Sequence, residues 1–428
     1  MKFITDFLYL LAIVLISPKI VFRMVRYGRY GKGWAQRLGK IERLNPEKKC
    51  IWIHAVSVGE VNATKTLVES LGKKFGDYEI VISSTTDTGV ARAESIYGKQ
   101  LSVFYFPFDL SAVMRRAFAN IRPDICLLME LEVWPNMTRI ARDKGVPVVV
   151  VNGRLSDTSF PRYKLFKPVV KQMFKKVSLV LAQTEEYAYR FISLGCAKDR
   201  VIVTSSLKYD TAQTAGLAAG SEELGEELKI SGSRLLVAGG TGPGEEKIIL
   251  DVFAKLKKRF EDLSLAIVPR KPERFDEAAN LIEQAGFEFV RYSKVKAGQV
   301  VCEKRPVVIL GDTMGDLKKF YSLAEIVFVG RSLAAMGGSD MMEPAALGRC
   351  TIFGPHTFNF KQTVKALLDG VGAIEVLDGP HLFEIAEKCL ANPDFAAAIA
   401  TAGQKVILQN QGATDKTVLS VAELLTGR

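Results

Sequence analysis

"CIWIHAVSVGEVNATKTLVESL", residues 50–71, changes its period in the middle. Cys50–Val56 is a short run of strand formers, and the apolar residues after Glu60 fall at helical spacing. The join, Ser57-Val58-Gly59-Glu60, fits the S-x-x-E capping box, in which the serine and the glutamate satisfy exposed amides of a helix start. A strand that turns directly into a helix is half of a βαβ unit, so the stretch reads as part of a parallel α/β sheet. Ligands of such sheets bind beyond the carboxyl ends of the strands. Glu60 therefore has two readings: a cap beside the positive end of the helix dipole, or a general base at the mouth of a site.

The same switch recurs along the chain. Strand-like runs at 78–84, 101–106, 124–129, 146–152, 177–183 and 200–206 alternate with amphipathic segments. Residues 209–232 hold no strand and are rich in Ala, Gly and Glu, which reads as a linker with a peripheral helix. The rhythm restarts with runs at 234–240, 263–269, 287–292, 305–310, 324–330 and 350–354. A chain of 428 residues exceeds one ordinary core. Two doubly wound domains with a cleft between them are expected: 23–208 and 233–428, the latter including the C-terminal helices.

The formal charge of +11 favours an anionic partner. Six cysteines without a C-x-x-C pair and three scattered histidines indicate neither a zinc site nor a disulfide framework, so no metal and no cofactor is expected. "FLYLLAIVLI" (7–16) lacks a signal-peptide cleavage site. It is followed by Lys19, Arg23, Arg26, Arg29, Lys32, Arg37 and Lys40 with no acid before residue 41. An apolar run with a basic collar reads as a membrane anchor over residues 1–22, with the body on the cytoplasmic side against anionic headgroups. The alternative is a buried core helix. Nucleic acid is not expected, because the basic residues cluster beside the apolar run and no nucleic-acid motif is present.

The loops after the strands carry the unusual residues. "LLMELEVWPN" (127–136) sets Glu130 and Glu132 beyond a buried strand, as site acids or as helix-start acids. "NGRLSDTS" (152–159) offers Arg154, Ser156 and Ser159, and "SSLKYD" (205–210) places Lys208 after the last strand of the first half. In the second half, "AGGTGPGEE" (238–246) is a glycine-rich strand-to-helix loop that could admit an anion, though it is neither a Walker A loop nor G-x-G-x-x-G. "AIVPRKPERF" (266–275), "GDTMGDL" (311–317) and "MGGSDMMEPAALG" (336–348) add strand-end Arg270 and acids at helix starts, Glu343 among them. Several such loops in one half suggest a nucleotide bed.

Taken in order, "HAVSVGE", "MELEVWPN", "SSLKYD", "VPRKPERF", "GDTMGDL", "EPAALG" and "FGPHTFNFK" resemble the 3-deoxy-D-manno-octulosonic acid (Kdo) transferases of lipopolysaccharide assembly. The resemblance runs from about residue 34 to the C-terminus. It implies a GT-B glycosyltransferase fold of two Rossmann-like domains. It also implies an inverting transfer from CMP-Kdo to a phosphorylated lipid A precursor, lipid IVA, at the inner membrane. By analogy Glu60 is the base, and Glu130 and Lys208 stabilise the transition state. Pro269, Arg270, Met314, Gly315, Asp316, Asp340, Met341, Met342 and Glu343 contact CMP. A base role sits uneasily with a cap, since a helix start lowers a carboxyl pKa, so Glu60 is expected to turn toward the cleft when acceptor is bound. The chain departs from the family at Gln36, Asp87, Gly242, Lys271, Asp316, Ser339 and Asp340. The competing reading is a membrane-anchored nucleotide-sugar-binding GT-B protein that is inactive or serves another acceptor.

Overall fold

Side chains alternate across a strand, and β1 (Lys49–His54) sorts accordingly: Cys50 and Trp52 enter one core, Ile51 and Ile53 the other. β1 pairs in parallel with β2 (Tyr78–Ser84) on one side and β4 (Ile125–Met129) on the other. With β3 (Ser102–Tyr105), β5 (Val148–Gly153), β6 (Leu179–Ala182) and β7 (Val201–Val203) the order is β3-β2-β1-β4-β5-β6-β7. The strand order reverses at the β1/β4 boundary, where open α/β sheets bind ligands.

A second parallel sheet contains β8 (Leu235–Thr241), β9 (Ser264–Pro269), β10 (Phe289–Arg291), β11 (Val308–Leu310), β12 (Ile326–Val329), β13 (Cys350–Phe353) and β14 (Ile374–Glu375). Its order is β10-β11-β9-β8-β12-β13-β14, with the switch at β8/β12. β14 is two residues long and was not expected. This computed structural model describes Asp6, Phe7, Tyr9 and residues 31–426.

The chain divides into Met1–Thr211 with Gln411–Arg428, and Ala212–Asn410. Two expected boundaries are corrected. The last helix, Ala413–Thr426, belongs to the first unit, where Ala413, Val418 and Val421 complete the core of Ile51, Ile53 and Leu67. The Gln411 amide also donates to the Tyr209 carbonyl at 2.9 Å, and the Asp210 carboxylate accepts from the Gly412 amide at 2.7 Å. Residues 212–232 are no free linker either. Leu224, Leu228 and Ile230 are buried in the second unit, and the Ala218 amide donates to Ser322 Oγ at 3.0 Å.

The anchor expected over residues 1–22 lies outside the described residues, save for Asp6, Phe7 and Tyr9. Among the described residues, no helix is long and apolar enough to cross a membrane. One residue of the basic collar is not at the surface. Arg37 is buried, lies 4.3 Å over the Tyr105 ring and pairs with Asp87 at 3.7 Å. Burial of a charge needs such partners.

Candidate active site

The β1 and β4 ends flank the first switch point, and each carries a carboxylate. Ser57 caps the helix Val58–Ala63 by accepting from the Glu60 amide. The Glu60 carboxylate answers in kind: Oε2 accepts from the Val56 amide at 3.0 Å and Oε1 from the Ser57 hydroxyl at 2.9 Å. The capping reading is thus realised in the structure. Its expected electrostatic consequence is not. Burial raises the Glu60 pKa above the ordinary glutamate value and Glu130 adds to the rise, against the Val56 and Ser57 hydrogen bonds. Cap donors stabilise the charge, but here removal from water outweighs them.

Glu130 follows β4 in the left-handed region, at φ 55°. Its amide donates to the Val151 carbonyl at 2.9 Å and its carbonyl accepts from the Arg154 amide at 3.4 Å, tying the turn to the end of β5. A non-glycine residue held there costs backbone energy, a pattern that gathers at functional sites. Glu132 stands beside both acids. Burial first, then the charge of Glu60, push it up to about 7, while Trp134 Nε1 donates to its carboxylate at 3.2 Å.

Lys208 is exposed, in the short helix Leu207–Asp210. That turn is held from β5: Asn152 Oδ1 accepts from the Leu207 amide at 3.1 Å and from the Ser206 hydroxyl at 3.2 Å. Asn152 is buried at φ 56°, a conformation that asparagine tolerates better than most residues. Sequence reading missed Asn152, and offered Glu132 only as a site acid or a helix-start acid without a catalytic role. The Asn152-Gly153 pair at a strand end was the available signal for the first. Ser156 and Ser159 bond one another at 3.1 Å in a local turn. His54 cannot serve as an acid or base near neutrality: it is fully buried, stacked 3.9 Å from Phe106, and burial lowers it to about 3.

In the second unit the residues expected to hold the nucleotide fall on loops after β9, β11 and β12. Pro269 ends β9, and the Arg270 amide donates to the Thr241 carbonyl at 3.1 Å with its side chain exposed. Arg270 acts electrostatically on Glu343, whose pKa is raised by burial and by Asp340 and drawn back by Lys318 and Arg270. Tyr321 is buried beneath the same charges, and among the described residues its hydroxyl has no hydrogen-bond partner. So Arg270, Asp340, Glu343 and Tyr321 form one neighbourhood. Met314 is exposed and Gly315 turns at φ 91°. The Met341 and Met342 side chains are buried, and the Met342 amide donates to Asp340 Oδ1 at 2.9 Å. The Asp316 carboxylate is committed elsewhere. Despite its burial, Lys296 at 2.6 Å and Lys319 at 2.8 Å hold it down to about 2.

The glycine-rich loop differs from its reading as an anion seat. Glu245 fills that place itself. It accepts from the Gly242 amide at 2.9 Å and from the amides of Arg331, Ser332 (2.8 Å), Leu333 (2.9 Å) and Ala334 (3.4 Å). Glu246, equally buried, pairs with Arg274 at 2.6 Å. The glycines serve packing: Gly240 has φ 66°, and an added Cβ would lie 2.6 Å from Ser339 Oγ. Two departures from the family are locally satisfied. Gln36 accepts from the Tyr105 amide at 3.0 Å, and Ser339 donates to the Gly240 carbonyl at 2.8 Å.

Residues 32–211 match the family model described as 3-deoxy-D-manno-octulosonic-acid transferase (kdotransferase). A 3-deoxy-D-manno-octulosonic acid transferase of Haemophilus influenzae is 32% identical over 416 residues, 96% of each chain. Its counterpart from Bordetella pertussis is 31% identical over 433 residues, covering 97% of this chain and 99% of the other. Among solved structures, a UDP-GlcNAc 2-epimerase from Neisseria meningitidis has TM-score 0.58 at 14% identity, over 89% of this chain and 100% of that one. That likeness shows the fold, the GT-B arrangement of two parallel-sheet domains.

Proposed function

This chain belongs to the 3-deoxy-D-manno-octulosonic acid transferase family, and on that premise we propose that it moves Kdo from CMP-Kdo to a phosphorylated lipid A precursor, lipid IVA, in lipopolysaccharide assembly. It is a glycosyltransferase, acting on the cytoplasmic face of the inner membrane. The acceptor hydroxyl oxygen attacks the anomeric carbon of Kdo. The bond from that carbon to the CMP phosphate oxygen breaks with its electron pair on CMP, and the acceptor proton passes to Glu60. Attack opposite the leaving group inverts the anomeric centre.

One observation carries the assignment of Glu60. It and Glu130 stand beyond adjacent strands at the sheet's switch point, close enough that Glu130 raises the pKa of Glu60. A carboxylate with a raised pKa is a stronger base, and general base catalysis contributes about 10²–10⁴-fold. The Ser57 and Val56 bonds to Glu60 must be exchanged for the acceptor hydroxyl, as a cap can do without unfolding the helix. Glu130 and Lys208 stabilise the charge that develops. CMP is held by Pro269, Arg270, the Met314–Asp316 turn and the Asp340–Glu343 turn, with Asp316 contributing backbone because its carboxylate is bound by lysines.

The test is mass spectrometry of the product formed from CMP-Kdo and a tetraacyl, doubly phosphorylated glucosamine disaccharide. A product heavier by one or more Kdo residues supports the reading. Release of CMP with free Kdo and an unchanged acceptor overturns it.

A further inference from the structure

Helices Ser159–Leu165 and Lys167–Phe174 join at Phe166 on the surface of the first unit. Their inner side is ordinary: Phe160, Tyr163 and Met173 pack on the core, and Val170 and Phe174 are buried within it. Their outer side is not. Leu165 is 79% exposed, Phe166 68% and Val169 63%. No other five-residue window of the described residues exposes three large apolar side chains. Isolated exposed apolar residues are common, whereas a cluster marks an interaction site. Residues 159–176 also carry Arg162, Lys164, Lys167, Lys171, Lys175 and Lys176 without a single Asp or Glu.

We propose that this helical pair is a bilayer-docking surface, in which Leu165, Phe166 and Val169 enter the acyl boundary of an anionic membrane and the surrounding lysines meet its phosphates. An apolar ridge on a helical pair that carries six cations and no acid within residues 159–176 matches the charge and polarity of an anionic lipid surface. Long lysine stems can lie along the apolar ridge with their ammonium groups in the headgroup layer. The inner face supplies a reason for the location. Tyr163, raised first by burial and then by the charge of Glu132, lies beside that carboxylate, and Glu132 neighbours Glu60 and Glu130. Docking here brings the carboxylates to the lipid surface, where a membrane-held acceptor presents its sugar. The N-terminal residues point to the same side. Asp6 accepts from the Ser111 amide at 3.0 Å and from Asn136 Nδ2 at 3.0 Å. Tyr9 bonds Asp109 and interacts with Tyr163. Asp6 and Tyr9 thus lie on the side of the unit that carries the exposed ridge.

The proposal rests on the functional reading only for the identity of the lipid acceptor; insertion is measured without turnover. All six native cysteines are buried, so an added surface cysteine can be labelled selectively. In the full chain, Phe166→Cys carries an environment-sensitive fluorophore. Val301→Cys, at an 80% exposed position in the second unit, is the control. With phosphatidylethanolamine–phosphatidylglycerol vesicles, the probe at 166 shifts to the blue and is quenched by brominated acyl chains, while the probe at 301 is not. Lys164→Glu with Lys167→Glu and Lys171→Glu lowers insertion of the 166 probe at least tenfold, with turnover on a detergent-dispersed acceptor unchanged. A probe at 166 that stays water-exposed on vesicle-bound protein overturns the proposal. So does a protein-concentration-dependent shift without vesicles, which would mean a second copy covers the ridge. Insertion without Kdo transfer would sink the functional reading and leave this one standing.

Discussion

At the residue scale the first unit holds two carboxylates, Glu60 and Glu132, in which burial and neighbouring acids favour the protonated form. Glu60 is raised by burial and by Glu130. Its ionised fraction, the form able to take a proton, therefore falls as pH drops through a window above the ordinary glutamate value of about 4.3. The acid limb of kcat is expected in that raised window, and Glu130→Gln should move it to lower pH while also slowing the reaction. Glu60→Gln should cost about 10²–10⁴-fold in kcat and leave CMP affinity intact. An acid limb indifferent to Glu130→Gln would separate the two acids. Glu132, raised to about 7, gives a stability prediction. Between the ordinary carboxylate value and about 7 the folded chain keeps a proton that the unfolded chain releases, so stability is lost as pH rises across that window. Glu132→Gln keeps an oxygen for Trp134 and cannot ionise. It should gain on the order of 1–2 kcal/mol at pH 8, discounted for partial solvent screening, and nothing near pH 4. Urea midpoints at the two pH values measure this, and an equal gain at both would assign it to something other than ionisation. The identities of these acids were legible in the sequence because each follows an apolar strand. Their raised pKa values were not, since burial and the approach of Glu60 to Glu132 depend on how β1 and β4 pair.

At the element scale, legibility follows from how local the signal is. Strands β1 to β13 are short apolar runs between turn residues, and each was expected within a few positions of where it lies. β14 is only Ile374–Glu375, too short to have a period. The last helix was placed in the wrong unit because nothing within Ala413–Thr426 names its partner; the contacts with Asp210 and Ile51 are made across long sequence separations. The glycine-rich loop failed for a different reason. Its glycines were visible, but the local sequence could not show that Glu245 would collect the amides of residues 331–334. A fully buried carboxylate with several amide donors is stabilising only while the set is complete. Glu245→Ala strands those donors, each costing about 1–3 kcal/mol when left unsatisfied. A loss of about 3 kcal/mol or more in the second unit is expected, with Glu245→Gln milder because one acceptor oxygen survives. Hydrogen exchange at residues 331–334 should rise in parallel. Unchanged exchange there would mean that another group satisfies these amides.

At the scale of the whole molecule, two sheets of the same architecture carry different chemistry at their switch points. The first sets Glu60 and Glu130 after β1 and β4, with Lys208 after the edge strand β7. The second gathers Arg270, Asp340, Glu343 and a buried tyrosine after β9 and around β12. If donor binding belongs to the second unit and proton transfer to the first, the two functions should separate by mutation. Arg270→Ala and Glu343→Ala should each weaken CMP binding by about 1.5–3 kcal/mol, roughly 10- to 150-fold in Kd. Neither should move the acid limb that Glu60 sets when donor is saturating. CMP near 100 times its Kd should stabilise the protein by about 2.7 kcal/mol. Its exchange protection should concentrate at residues 270, 314–316 and 340–343. Glu343 gives the sharper case. Its carboxyl is raised by burial and by Asp340, so it is protonated more easily than an ordinary glutamate. If it accepts a ribose hydroxyl as a carboxylate, CMP affinity should fall as pH drops below its raised pKa, and Glu343→Gln should flatten that dependence. Calorimetry across pH with both variants decides the matter. Wild-type affinity in Arg270→Ala and Glu343→Ala alike would remove the nucleotide from these loops.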